Sequence, residues 1–159
     1  MSGPRVTVER RIAAPAGRVW AVLTDIEAAP RVISGIEKVE MLSDRPFGVG
    51  TRWRETRRML GKEATEEMWV TASEPSKRCV IEAGSRGVHY VSEFLLTEEG
   101  GATSVRLTFG SELADGSGLK ARLMHAMGSL GAKTAAKAIA KDLADIAASA
   151  EAGGPKAAD

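Results

Sequence analysis

Three ionisable residues, Glu55, Arg57 and Glu66, fall on the face of a β-hairpin that should pack inward. Residues 51–60 and 63–73 flank Gly61-Lys62, a two-residue link with glycine first, as a type II′ turn requires. That turn predicts Trp53 opposite Val70, Glu55 opposite Met68, Arg57 opposite Glu66 and Met59 opposite Ala64. The other face carries Arg52, Arg54, Thr56, Thr65, Glu67 and Thr71 and suits water, with Arg54 expected over the Trp69 ring. Charge is expensive to bury unpaired, so its presence among Trp53, Met59, Met68 and Val70 has two readings. One is a cross-strand Arg57–Glu66 pair near the hairpin tip, with Glu55 diagonal to it. The other is a cavity that is mainly apolar with a few polar anchors, in which Arg57 would meet a carboxylate or enolate. For a reaction on a carbonyl compound the candidates are Glu55 as general base, Arg57 as stabiliser of an enolate-like oxygen and Tyr90 as proton donor. His125 is a further candidate if the small-residue face of the terminal helix turns to the cavity, solvent exposure being the other reading, whereas Cys79 reads as a small core filler.

The elements that must position these groups follow from periodicity. Residues 6–13 read as a first strand. Pro15 stands at a natural first-turn position, and Val19, Trp20, Leu23 and Ile26 give an amphipathic helix of about three turns that Pro30 should stop. A short second helix or turn is expected over residues 31–35, then a strand over 36–42 and a loop over 43–50. Beyond the hairpin come strands at 78–84, 88–97 and 102–113. Cys79, Ile81 and Ala83 share one face, as do Tyr90, Ser92, Phe94 and Leu96, and Thr103, Val105, Leu107 and Phe109. Short turns make these strands an antiparallel meander.

After a link at 115–118, residues 118–150 are the one stretch long enough to cover the sheet. Ile139, Leu143, Ile146 and Ala150 form a helical stripe. Projected backward, that stripe meets Ala136, Ala132, Gly128, His125 and Ala121, while Leu119, Leu123, Met127 and Leu130 lie on another face. Either the helix breaks or bends near Gly128 and Gly131, or it is continuous and its small residues leave room beneath. Residues 1–150 are expected to form a single domain, with 151–159 as a flexible tail.

Composition sets the outer bounds. Among 159 residues, 22 Lys and Arg stand against 21 Asp and Glu, for a net charge of +1. That argues against a nucleic-acid binder, which shows a basic excess. One cysteine excludes an intrachain disulfide, and two histidines give no zinc-type cluster. No cofactor, metal or membrane span is expected, and the compartment is expected to be cytoplasmic.

The order and landmarks resemble the START-like (SRPBCC) superfamily, and within it the bacterial polyketide cyclase/dehydrase and lipid-transport family. The residues that carry the resemblance include Pro15, Val19, Trp20 and Leu23, then Gly50-Thr51-x-Trp53, Trp69-Val70-Thr71 and Glu74-Pro75. Residues 90–96, Gly101-x-Thr103-x-Val105 and Leu143-x-x-Ile146 continue it, so that it spans about residues 5 to 150. The resemblance implies an α+β helix-grip fold: a curved antiparallel sheet of about seven strands around a long C-terminal helix, with two short helices after strand 1. It also implies a deep cavity for a lipid-like or polyketide-like molecule, and for some members a cyclase or dehydratase activity. The expected lining is Trp53, Glu55, Arg57, Met59, Glu66, Met68, Tyr90, Phe94, Phe109 and Met127. The alternative to a binding protein is such an enzyme, with Glu55 as base. A third possibility is a partner-binding module, with Leu119, Leu123, Met127 and Leu130 as a homodimer surface.

Overall fold

A computed structural model describes residues 5–59, 61–85, 87–113 and 128–153. Strand β1 (Arg5–Ile12) leads into α1 (Ala16–Thr24), a 3-10 turn (Ile26–Ala28) and the short α2 (Ala29–Val32). Then come β2 (Ile36–Met41), β3 (Arg52–Met59), β4 (Lys62–Glu74), β5 (Arg78–Ser85), β6 (Val88–Glu99), β7 (Ala102–Leu113) and the helix α3 (Gly128–Glu151). The seven strands form one sheet in the order β1-β7-β6-β5-β4-β3-β2, every pair antiparallel. This is the expected α+β helix-grip architecture, a curved sheet gripping its terminal helix. Register shifts between Ile36 and Lys38 in β2 and between Val70 and Ala72 in β4 add local bend and twist.

Alternation puts the apolar residues of β3–β7 on one face, and the core forms there. Trp53, Val70, Ile81, Leu96, Val105 and Leu107 pack in one cluster with Val19 and Val22 of α1 and with Ile139, Leu143, Ile146 and Ala150 of α3. The α3 stripe therefore faces inward as its spacing predicts. The helix runs without interruption from Gly128 through Gly131 to Glu151. The expected link at 115–118, the helix before Gly128, Leu119, Ala121, Leu123, His125 and Met127, and residues 154–159 of the expected tail lie outside the described residues. So do the side chains of Met59, Leu130 and Ala132.

Two local expectations need correction. Helix α1 ends at Thr24, ahead of Pro30, because Asp25 leaves the helical conformation and its carboxylate accepts from the Ala28 amide at 3.3 Å. Pro30 stands in the first turn of α2 instead, where a missing N–H costs nothing. The hairpin link also falls one residue earlier than predicted. Met59 pairs with Lys62, so Gly61 takes the second link position, with a φ of 76° that glycine adopts freely. Every cross-strand pair then moves by two residues. Trp53 faces Met68, Glu55 faces Glu66 and Arg57 faces Ala64. A shift of two leaves each side chain on its predicted face. Outside, Arg52 rather than Arg54 lies over Trp69, 5.2 Å from the ring centroid, and Arg54 pairs with Glu40 at 2.6 Å.

Polar ties hold α3 at its C-terminal end. Arg18 donates to the Ala150 carbonyl at 3.3 Å, and Glu151 accepts from the Ala13 amide at 2.9 Å. On the sheet side Thr103, fully buried, donates its hydroxyl to the Ala14 carbonyl at 2.8 Å. Glu98 accepts from the Ala16 amide at 2.6 Å, at the start of α1 where an anion is favoured. Thr103→Val keeps the shape and removes the donor. It is expected to destabilise the protein by about 1–2 kcal/mol, read as a lower urea midpoint with an unchanged m-value.

Candidate functional site

Sheet and α3 do not meet everywhere. Between them lies a cavity of about 230 Å³, bounded by β3–β7, by Leu23, Ile26, Ala29, Ile33 and Ile36 at the α1–β2 side, and by α3. Eight of the ten expected lining residues bound it: Trp53, Glu55, Arg57, Glu66, Met68, Tyr90, Phe94 and Phe109. Met59 ends β3 but its side chain is not described, and Met127 lies outside the described residues. On α3 the small residues facing the hollow are Ala135 and Ala138, next to the predicted Ala136 on the helix surface. Alanine there keeps α3 over the sheet without filling the space below.

One end of the lining is ionic. Arg57 donates from Nε to Glu55 Oε2 at 2.8 Å, and from Nη1 and Nη2 to the two oxygens of Asp142 at 3.2 and 2.7 Å. The Trp53 indole N–H donates to the other Glu55 oxygen at 3.3 Å. A cation on β3 is thus clasped by a carboxylate of its own strand and, in bidentate fashion, by one from α3. Burial alone would lower the Arg57 pKa, but the Asp142 hydrogen bonds and the charges of Glu55 and Asp142 outweigh it and hold the guanidinium protonated. The predicted Arg57–Glu66 cross-strand pair is not formed, because the shifted register sets Glu66 opposite Glu55 instead.

Asp142 is the functional neighbour the sequence reading missed. It stands three residues after Ile139 and four before Ile146, within the inward stripe, and an acidic residue at that phase was the available signal. A second acidic residue, Asp145, accepts from the Ser34 amide and hydroxyl at 2.9 and 3.0 Å and so ties α3 to the α2–β2 turn.

Glu66, Tyr90 and Ser92 make up the rest of the polar lining. The side chains of Glu66 and Tyr90 make no hydrogen bond or ion pair with another described residue. Burial pushes the Glu66 carboxyl above the usual carboxylate range and the Glu55 charge adds to it, with Arg57 opposing. Burial likewise raises the Tyr90 phenol, and the nearby Glu66 charge raises it further. The Tyr90 ring stacks on Phe109 with centroids 5.6 Å apart. Cys79 is buried below the sheet surface and its thiol is pushed up to about 12 by desolvation, which makes it inert as a nucleophile. Outside the cavity, His89 stacks on Trp69 and pairs with Glu82 at 2.7 Å on the opposite sheet face. No helix among the described residues is long and apolar enough to cross a membrane.

A family profile described as polyketide cyclase / dehydrase and lipid transport matches residues 3–151. No curated protein sequence matches the chain. Among solved structures, TTHA0849 from Thermus thermophilus is similar with a TM-score of 0.77 at 22% identity, over 96% of this chain and 100% of that one. The Zhui aromatase/cyclase from Streptomyces sp. R1128 gives 0.74 at 21%, over 96% and 99%. A START superfamily protein from Mycobacterium smegmatis gives 0.76 at 15%, over 94% and 99%. At such identities the likeness is one of fold.

Two outcomes test the electrostatics of this site. Arg57→Met leaves Glu55 and Asp142 without their cation and should cost about 1–3 kcal/mol, and adding Glu55→Gln and Asp142→Asn should restore most of it in urea titrations. Glu66 has its pKa raised by folding, so its charge penalises the native state above the folded pKa and not below the unfolded one. Glu66→Gln should therefore raise the thermal midpoint at neutral pH. The gain should vanish as the pH falls below about 4, where the carboxyl is protonated in both states.

Proposed function

The chain belongs to the polyketide cyclase / dehydrase and lipid transport family, and from that premise we propose that it holds a hydrophobic small molecule, lipid-like or polyketide-like, in the hollow between its sheet and α3. The observation that carries this reading is the hollow itself. Its walls are mainly apolar, its polar groups gather at one end, and its volume is about 230 Å³. A guest whose apolar body covers such walls removes its own surface and theirs from water, at about 25 cal/mol per Å² of apolar area buried. The body of the guest would lie against Trp53, Met68, Phe94 and Phe109, and its polar end would point to the ionic end of the lining.

Binding is favoured over catalysis by Glu55. A general base must be aimed at the proton it takes. Each Glu55 oxygen is instead turned to a protein donor, one to Trp53 and one to Arg57, so the carboxylate is fixed against its own strand. That network suits a fixed wall of the pocket better than a proton acceptor.

The test is to fill the hollow from the helix. Ala138→Phe places a ring where the guest would sit. It is expected to weaken the binding of N-phenyl-1-naphthylamine, an uncharged dye followed by fluorescence, by about tenfold or more, while the thermal midpoint stays level or rises. Equal dye binding by a folded Ala138→Phe variant would show that the dye sits elsewhere and would remove the support for an internal site. Native mass spectrometry of gently purified protein, followed by solvent extraction, then identifies any molecule that co-purifies.

A further inference from the structure

Resting on that reading of the cavity, we propose that the polar end of the pocket takes an uncharged ligand through a hydroxyl group, held between Glu66 and Tyr90, and turns away carboxylates. The charge balance is the first ground. Among the described lining residues one cation, Arg57, stands against three carboxylates, Glu55, Glu66 and Asp142. An anionic ligand would add a fourth negative group to a partly desolvated site, where like charges repel most.

The second ground is the geometry of Arg57. Its Nε, Nη1 and Nη2 are each already directed at a carboxylate oxygen. Three of its five N–H groups are so engaged, and a ligand carboxylate at the other two would have to share one cation with Asp142 and Glu55, which already outnumber it in charge. Arg57 is therefore a structural clasp for α3 rather than a vacant anion receptor.

The third ground is what remains open. Glu66 and Tyr90 both line the cavity, and neither side chain is hydrogen-bonded to another described residue. Among the described residues no fully buried side-chain nitrogen or oxygen lacks a partner, so the open oxygens of this pair are not sealed away from a guest. They also share one face of the sheet: Tyr90 pairs with Ala83, Ala83 pairs with Met68, and Glu66 stands two residues along β4 from Met68, with only the small Ala83 side chain on the strand between. A carboxylate that accepts beside a phenol that can donate matches a group that does both. A hydroxyl is such a group: it donates once and accepts twice. A carboxylate ligand offers no proton to Glu66, and a hydrocarbon satisfies neither oxygen.

Three ligands of one scaffold test this by isothermal titration calorimetry at neutral pH: 2-naphthol, 2-naphthoate and naphthalene. Naphthol is expected to bind at least about tenfold more tightly than naphthoate, the size of one hydrogen bond to a charged group. Glu66→Leu should erase that preference, and Tyr90→Phe should reduce it, while naphthalene binds wild type and both variants alike. Glu66→Gln, which keeps the shape, serves if Glu66→Leu fails to fold, and should shrink the preference too. Naphthoate binding as tightly as naphthol, or a naphthol preference that survives loss of the Glu66 carboxylate, overturns the proposal and leaves the cavity reading standing. Failure of all three to bind, naphthalene included, overturns the cavity reading and this proposal with it.

Discussion

The guanidinium of Arg57, shared between Glu55 on its own strand and Asp142 on α3, is the contact on which the hollow depends. A helix laid over an apolar sheet is drawn down onto it, because every CH₂ removed from water gains about 0.8 kcal/mol. Left to that force alone, sheet and helix would close until side chains met. Here the helix is held by directional bonds. Asp142 engages Arg57, Asp145 engages Ser34, Arg18 takes the Ala150 carbonyl, and Glu151 takes the Ala13 amide. The C-terminal half of α3 also packs tightly, with Leu143, Ala147 and Ala150 almost wholly buried. Toward the other end, Ala135 and Ala138 present little to fill the gap. One end is sealed by packing and the other propped by charge.

Charge is an unusual prop. Buried ion pairs seldom add net stability, because desolvation offsets the attraction. Arg57 avoids much of that cost by remaining 28% exposed at its side chain while Glu55 is 10% exposed. What the cluster contributes is position: a bidentate pair fixes distance and angle in a way that aliphatic contact does not. The Glu55–Glu66 juxtaposition reads in the same light. Two carboxylates opposite each other on neighbouring strands are unfavourable; Arg57 bonds one of them, Glu55, and relieves Glu66 only through its charge. The strain that remains falls on Glu66, at the wall of the cavity.

Most of the fold was legible because strand periodicity is robust. A two-residue alternation marks faces whatever the pairing, so Tyr90, Phe94, Val105 and Leu107 fall inward on any register of the same parity. The register itself was not legible. Gly61 can serve either position of a two-residue link, and choosing the first moved every β3–β4 pair by two residues. The faces survived that error, while the partners did not: Arg57 lost Glu66 and gained Asp142. A helix adds a harder problem, because its phase against a sheet is set by contacts far away in the chain. Ile139, Leu143 and Ile146 gave the phase of α3, yet Asp142 inside that stripe was read past.

Why such a pocket should carry acidic groups follows from the alternatives open to an apolar cavity. A lining without polar groups would admit any hydrocarbon of the right size, since dispersion and desolvation discriminate weakly, by about 1–3 kcal/mol per methylene at most. A free cation would admit anionic amphiphiles as a class. With its cation occupied by Glu55 and Asp142, this cavity would, on the reading proposed here, meet a guest with oxygens that accept or exchange a proton. Discrimination would then come from what an ill-matched guest leaves unpaired, which is the costlier error. On that reading, the contact that keeps the helix off the sheet and the one that would sort guests both follow from the same arginine being already bound.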